Sequence, residues 1–243
     1  GGAYVKGGSK RALFLGCEFV GNEATAHGGA TYVMDFSSAS FVSCEFRNNR
    51  AGAYGGVAIV YIDSNASFSG CNMISNSAGI YGGVVHIESY STASFSGCDM
   101  TNNSAGSDGG VAAVIIYSTA SFSDCNISSN SAGGSGGFAS VAQTSHATFL
   151  RSIFSFNSAS RSGGVVSVLS ASSFAMHSST VNGNFVSDPL SNGGAVSVTG
   201  GSWADINNTR FFDNQARGEG SFGGCFHVQD SQGDKPLKVR GGS

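Results

Sequence analysis

Five cysteines, Cys17, Cys44, Cys71, Cys98 and Cys125, stand 27 residues apart, and that interval constrains the fold more than any other feature. Glycine pairs keep the same interval, beginning at Gly1, Gly28, Gly55, Gly82, Gly109, Gly136 and Gly163. Two later pairs begin at Gly193 and Gly223, each displaced by a three-residue insertion. Asn22, Asn49, Asn76, Asn103, Asn130 and Asn157 follow the beat, and Asn184 and Asn214 complete the row. A fixed period of roughly 20–50 residues is the mark of stacked repeats, in which each unit buries its core against its neighbours.

Inside the unit the pattern is β. Val57-Ala58-Ile59-Val60-Tyr61-Ile62 is rich in β-branched residues. Ala66-Ser67-Phe68-Ser69 alternates with period 2, and Cys71-Asn72-Met73 supplies a third short segment. Three short strands per unit predict an all-β, right-handed parallel β-helix of about nine coils of 27 residues. Residues 1–243 then form a single solenoid domain. Residues 229–243, where Lys235-Pro236-Leu237-Lys238 breaks the repeat, read as a fraying cap or the start of a further coil. With only 6 Leu among 243 residues, the chain lacks the framework of a leucine-rich repeat. Gly and Ser total 80 residues, a composition usual in linkers, but the regularly spaced Phe, Val and Ile make a core available.

Stacking turns each motif position into a column. Phe41, Phe68, Phe95, Phe122 and Phe149 form one, continued by Met176 and Ile206. Phe19, Phe46, Met73, Met100, Ile127, Phe154, Val181 and Phe211 form a second. Val33, Val60, Ile87, Val114, Val141, Val168, Val198 and Val228 form a third. These should fill the lumen, with the Asn column as an inward amide ladder at a turn.

Gly28-Gly29-Ala30 and Gly194-Ala195-Val196 are G-G-A-type motifs, and Phe19-Val20-Gly21-Asn22, Phe46-Arg47-Asn48-Asn49 and Phe154-Ser155-Phe156-Asn157 are F-x-x-N motifs. In these the chain resembles the chlamydial polymorphic membrane proteins, from Gly1 to about Val228. The resemblance implies a right-handed parallel β-helix displayed at a cell surface and used in adhesion. Several units depart from it, with G-G-V at the glycine pair or Met, Ile or Val in place of Phe.

Charge excludes some partners. Twelve Lys and Arg against 15 Asp and Glu leave a net charge of −3 with no basic stripe, so nucleic acid is not expected. No apolar run approaches the roughly 18 residues of a spanning helix, so this segment should not insert in a membrane directly. The chain opens on Gly1-Gly2 rather than Met, which reads as a fragment of a larger protein. Its expected location is extracellular or at the cell surface.

Catalytic and metal chemistry finds little footing. Cys17, Cys44, Cys71, Cys98 and Cys125 stack as packed free thiols, with one or two bridges as an alternative. A linear ladder does not converge on a point as zinc requires. Glu18, Glu45 and Asp99 recur after the cysteines, too dilute for calcium. Asp205 and Asp213 lack a Lys or His at a matching column. The expectation is a non-enzymatic protein without cofactor, acting in adhesion or surface assembly through a rigid face. Its partner is a protein or glycan surface, or a second copy. A filament or matrix subunit packing laterally is one alternative. A carbohydrate-active enzyme with its site in an insertion is another, and a groove lined by two or more carboxylates would favour it.

Period-2 alternation from the Val column places Val57, Ile59 and Tyr61, then Val111 and Ile115, then Phe138, on an outward apolar strip, unless the phase slips at the Gly-Gly corner or a flanking segment covers it. That strip is the candidate interface. Asn65, Asn102, Asn126 and Asn207 head N-x-S/T sequons and are candidate glycan acceptors if the protein is secreted by a eukaryote.

Overall fold

The computed structural model describes residues 2–8, 11–229 and 238–240. The coil that begins at Gly55 shows how the unit folds. Its strands are Ala58–Tyr61, Asn65–Ser69, Asn72–Ile74 and Ser77–Ala78. Each pairs in parallel with its equivalent one coil on, so Ala58 faces Val85, Phe68 faces Phe95, Met73 faces Met100 and Ala78 faces Ala105. The result is a parallel β-solenoid of about eight turns with four parallel sheets. The described residues contain no helix. Sheets one and two, numbered in the order the chain enters them, have nine strands; sheets three and four have eight.

The unit therefore holds four strands, not three. The fourth, Ser77–Ala78 and its equivalents, is two residues long, too short to leave any periodic trace in sequence. Nine passes through the first sheet close about eight full turns. Lys238–Arg240 pair with Asp205–Asn207 as a ninth strand of sheet two, so Asp205, expected to have no Lys at its column, stands in register with Lys238; residues 230–237 and 241–243 of the proposed cap lie outside the described residues.

The three expected columns fill the lumen. Phe41, Phe68, Phe95, Phe122, Phe149, Met176 and Ile206 are fully enclosed. Phe41 and Phe68 stack with centroids 4.9 Å apart, Phe68 and Phe95 at 4.8 Å, Phe95 and Phe122 at 4.6 Å. The second column meets the first edge to face, as Phe46 does against Phe68. Such geometry sets the positive edge of one ring on the negative face of another. The Val column is enclosed from Val33 to Val198, and Val228 is exposed.

Polar ladders close the turns. Asn103 is fully buried; its Nδ2 donates to Met73 O at 2.9 Å and to Asn130 Oδ1 at 3.0 Å, while its Oδ1 accepts from Asn76 N and Nδ2. A second ladder runs through Ser37, Ser64, Ser91, Ser118, Ser145, Ser172 and Ser202, each hydroxyl from Ser64 onward accepting the N–H of the serine one coil before it. The cysteine column is a third. It passes from Cys125 to Ser152, Ser179 and Thr209 without a break in register. Its thiols point back at carbonyls, as Cys71 Sγ does to Phe41 O.

All six cysteines are free thiols. The thiol of Cys71 is pushed up by its hydrogen bond with Cys98 and by burial, and burial pushes Cys225 up to about 12. Cys98 is raised to about 11, first through its contact with Cys125. Cys125 at the end of the row is lowered by the hydrogen bond Cys98 gives it.

Each coil enters sheet one through the Gly-Gly corner. Gly55 sits at φ +65°, and a Cβ on Gly56 would collide with the carbonyl oxygen of Gly83. Only glycine meets both demands, which is why the pair recurs in every coil.

Candidate binding face

Sheet one and its two flanking turns carry all seven tyrosines of the chain. Tyr4, Tyr32 and Tyr61 are on its strands. Tyr54 and Tyr81 end the turn that precedes the glycine pair, and Tyr90 and Tyr117 occupy the turn that follows the strand. The other three sheets have none. The turn before the sheet folds back over its outer face, because the Tyr54 ring stacks on His86, a residue of the strand Val85–Glu88, with centroids 4.8 Å apart. His27, Tyr54 and Tyr81 form a continuous stack along the axis, at 4.8 and 5.5 Å.

The turn after the sheet is built at a cost. The described coils place two consecutive residues in the left-handed region there, among them Asp35 and Phe36, Ile62 and Asp63, Ser89 and Tyr90, and Ile116 and Tyr117. The first and penultimate passes use Gly7-Gly8 and Gly200-Gly201 at the same place, where the conformation carries no Cβ penalty. A β-branched residue in that region is an outlier, yet Ile62 and Ile116 are held there at φ +53° and +52°. The central coils also set large rings into solvent from these turns. Phe36 is 68% exposed, Tyr90 61% and Tyr117 56%, and Tyr90 and Tyr117 stack 5.1 Å apart. Neither the core nor the backbone asks for aromatic rings at these positions.

Between the two turns lie two clefts. The first, about 260 Å³, is lined by His27, Tyr32, Tyr54, Ile59, Tyr61 and Glu88. Burial, then the neighbouring Tyr4 and Tyr61 hydroxyls, raise Tyr32 above the ordinary phenol. His86, fully buried beneath Tyr54, pairs through Nε2 with Glu88 Oε2 at 3.0 Å, and its Nδ1 has no partner. The second cleft, about 210 Å³, is lined by Tyr81, Asp108, Ala113, Ile115, Ser140, Ala142, Gln143 and Leu169. Glu88 and Asp108 thus sit in different clefts, and each already has one oxygen engaged, Glu88 with His86 and Asp108 with Ser135 N–H at 2.7 Å.

The expected apolar strip is corrected by this geometry. Val57, Val111 and Phe138 are wholly buried in the lumen. The Val57 carbonyl accepts two successive N–H groups, Ala30 and Thr31, as Val84 O does from Val57 and Ala58. This bulge-like pairing at the corner breaks the period of two, so the third and fourth residues of the unit both face inward. Ile59 does point outward, but the Tyr54 turn covers it and leaves it 3% exposed. Tyr61 and Ile115 remain half-buried on the outer face, one in each cleft.

The strip reading missed Tyr54, Tyr81, His86, Glu88, Asp108, Tyr90 and Tyr117. Their signal was positional: every tyrosine falls within eight residues of a glycine pair, in coils ending at Tyr117. Of the sequon residues, Asn65, Asn102 and Asn126 are exposed and Asn207 is half-buried. The described residues contain no cluster of three or more His, Cys, Asp or Glu arranged to hold a metal ion.

The fold and this face define a repeat protein of the parallel β-solenoid class. Comparison with family models, curated proteins and solved structures gives no match to the chain.

Proposed function

We propose that the protein is a non-enzymatic binding module, working in adhesion or surface assembly outside the cell, with sheet one and its flanking turns as the contact face. The observation that carries this reading is the confinement of all seven tyrosines to that face. Tyrosine offers a large, stiff surface with a hydrogen-bonding tip, and it is enriched where proteins make contacts. The rings on the following turn are held out from strained backbone, a cost that binding would justify. Two carboxylates in separate clefts do not form the facing pair that glycoside hydrolysis uses. The F-x-x-N resemblance agrees with a surface role.

The test compares the wild type with a variant carrying Tyr32→Ser, Tyr61→Ser, Tyr90→Ser and Tyr117→Ser. Beads coated with each protein are washed over surfaces of mucin, collagen, chitin, cellulose and the wild-type chain itself. Retention of wild-type beads on at least one surface, lost in the variant, is the expected result. Equal retention of both kinds of bead on every surface would overturn the reading. Retention on the chain itself alone would select lateral self-assembly.

A further inference from the structure

We propose that the second cleft, between Tyr81 and Asp108, binds a single sugar ring of a glycan, an inference that rests on the binding-module reading and names its ligand class. Tyr81 is the last ring of the His27–Tyr54–Tyr81 stack. One coil further, Asp108 takes the position of the ring, since Gly82 N–H donates to Asp108 O as Gly55 N–H does to Tyr81 O. The column of His86 falls to Ala113 and then Ser140 at the same step. The stack thus stops at a pit with a small-residue floor, and Tyr81 borders it.

The pit is built, not incidental. Asp108 Oδ1 is fixed by Ser135 N–H at 2.7 Å, which leaves Oδ2 to accept from a ligand. Gly134, whose equivalents are Ala53, Ile80 and Ser107, makes room for it, because a Cβ there would collide with Asp108 Oδ1. Ser140 lines the floor at 5% exposure, and its hydroxyl can both donate to and accept from a ligand hydroxyl there. The Gln143 amide stands at the rim and Ile115, Ala142 and Leu169 supply an apolar wall.

This combination selects a ligand. Ser, Gln and Tyr can each donate and accept, and the carboxylate accepts, which suits vicinal hydroxyls that do both. The Tyr81 ring and the aliphatic wall suit the C–H faces of a sugar ring. A cation would be met by one carboxylate only. The volume of about 210 Å³ lies below that of drug-sized ligand sites, which suits one ring of a chain that continues along the groove.

The experiment is ligand-observed saturation-transfer NMR on the whole chain. The probes are the methyl glycosides of glucose, galactose, mannose, N-acetylglucosamine, fucose and xylose, with tetramethylammonium chloride as the cationic probe. At least one glycoside should bind, and Asp108→Asn should weaken it about tenfold or more, the loss of one charge-assisted hydrogen bond. Tyr81→Ala should abolish transfer, and Ile153→Ala, on the exposed face of sheet three, should leave it unchanged. Gly134→Ala should mimic Asp108→Asn, although it adds one methyl group outside the ligand's reach. Circular dichroism checks that each variant is folded, and Asp108→Asn stands if Gly134→Ala does not fold. The proposal fails if no glycoside binds, if Asp108→Asn and Tyr81→Ala bind as the wild type does, or if only tetramethylammonium binds. The bead variant keeps Tyr81 and Asp108, so the binding-module reading and the sugar pit can fail separately.

Discussion

Replacing Asn103 by Ala tests how far the amide ladder holds the coils together. Asn103 has no exposed surface and takes part in four side-chain hydrogen bonds at 2.9–3.0 Å. Alanine removes all four. Asn130 Oδ1 keeps the Asn103 N–H, and Asn76 Nδ2 keeps Phe46 O. Two groups lose their partner, the Asn76 N–H and one Asn76 amide hydrogen, while the Met73 carbonyl keeps its ladder bond to the strand of the next coil. At about 1–3 kcal/mol for each buried unsatisfied group, the loss is about 2–6 kcal/mol, a large part of the 5–15 kcal/mol that holds a typical domain folded. Asn103→Asp sharpens the test. Its Oδ1 still accepts from Asn76, but the second oxygen faces Met73 O and Asn130 Oδ1, two acceptors. Ionisation is disfavoured there, so the folded-state pKa of the new carboxyl is raised above the unfolded value near 3.9. That variant should be most stable below about pH 4 and lose stability as the pH rises. Urea unfolding followed by far-ultraviolet circular dichroism at pH 4 and pH 7 measures both. A loss under about 1 kcal/mol for Asn103→Ala, or an Asn103→Asp variant that gains stability with rising pH, would refute the ladder argument.

Phe68→Ala should cost about 3–5 kcal/mol in the same assay, and hydrogen exchange should rise in the coils on both sides, because neighbours share the stacked column. Cys125→Ser should extend the hydroxyl ladder by one rung, since its oxygen would accept Cys98 N–H as Ser152 Oγ accepts Cys125 N–H at 3.1 Å; the unfolding midpoint should move by no more than about 1 kcal/mol. Burial holds Cys225 up to about 12 and the ladder holds Cys98 near 11, so both stay protonated in the folded chain after unfolded thiols ionise; stability should fall as the pH climbs from about 9 towards 11, and less steeply in Cys98→Ser. Native alkylation should label half-buried Cys17 well before the enclosed Cys71 and Cys98, read by mass spectrometry after short exposure.

The columns were legible because stacking repeats chemistry at one interval. Phe41 to Phe149 and Asn22 to Asn157 announce themselves in the sequence, and both stand where that interval puts them. The two-residue strand Ser77–Ala78 was not legible, because a period needs more residues than it has. The burial of Val57 was hidden for a different reason: a carbonyl with two donors shifts the phase at the corner, and that is a fact of the backbone. Ser152 and Ser179 continue the cysteine column, but one polar residue among 43 serines carries no signal until its oxygen is seen to accept the N–H of the coil before it. The candidate face escaped the apolar pattern because four of its seven tyrosines, Tyr54, Tyr81, Tyr90 and Tyr117, lie on turns, where alternation says nothing about direction.

In-register pairing has a consequence for how such a chain can change length. Every column is continuous only if equivalent residues stay paired, so the rod can grow or shrink only in whole units. Excising Ala93–Thr119 would join Thr92 to Ala120 and leave each column unbroken one rung shorter, whereas removing thirteen residues would throw every later side chain out of its column. The two three-residue insertions show where the rule relaxes. Asn184 and Asn214 stand 30 apart and still bond at 2.9 Å, because the extra residues are absorbed at one turn, around Asp188–Leu190 and again around Gly218–Gly220. That corner is a tolerant splice point on an otherwise quantised ruler, and new loops could be grafted there without disturbing the face on the first sheet.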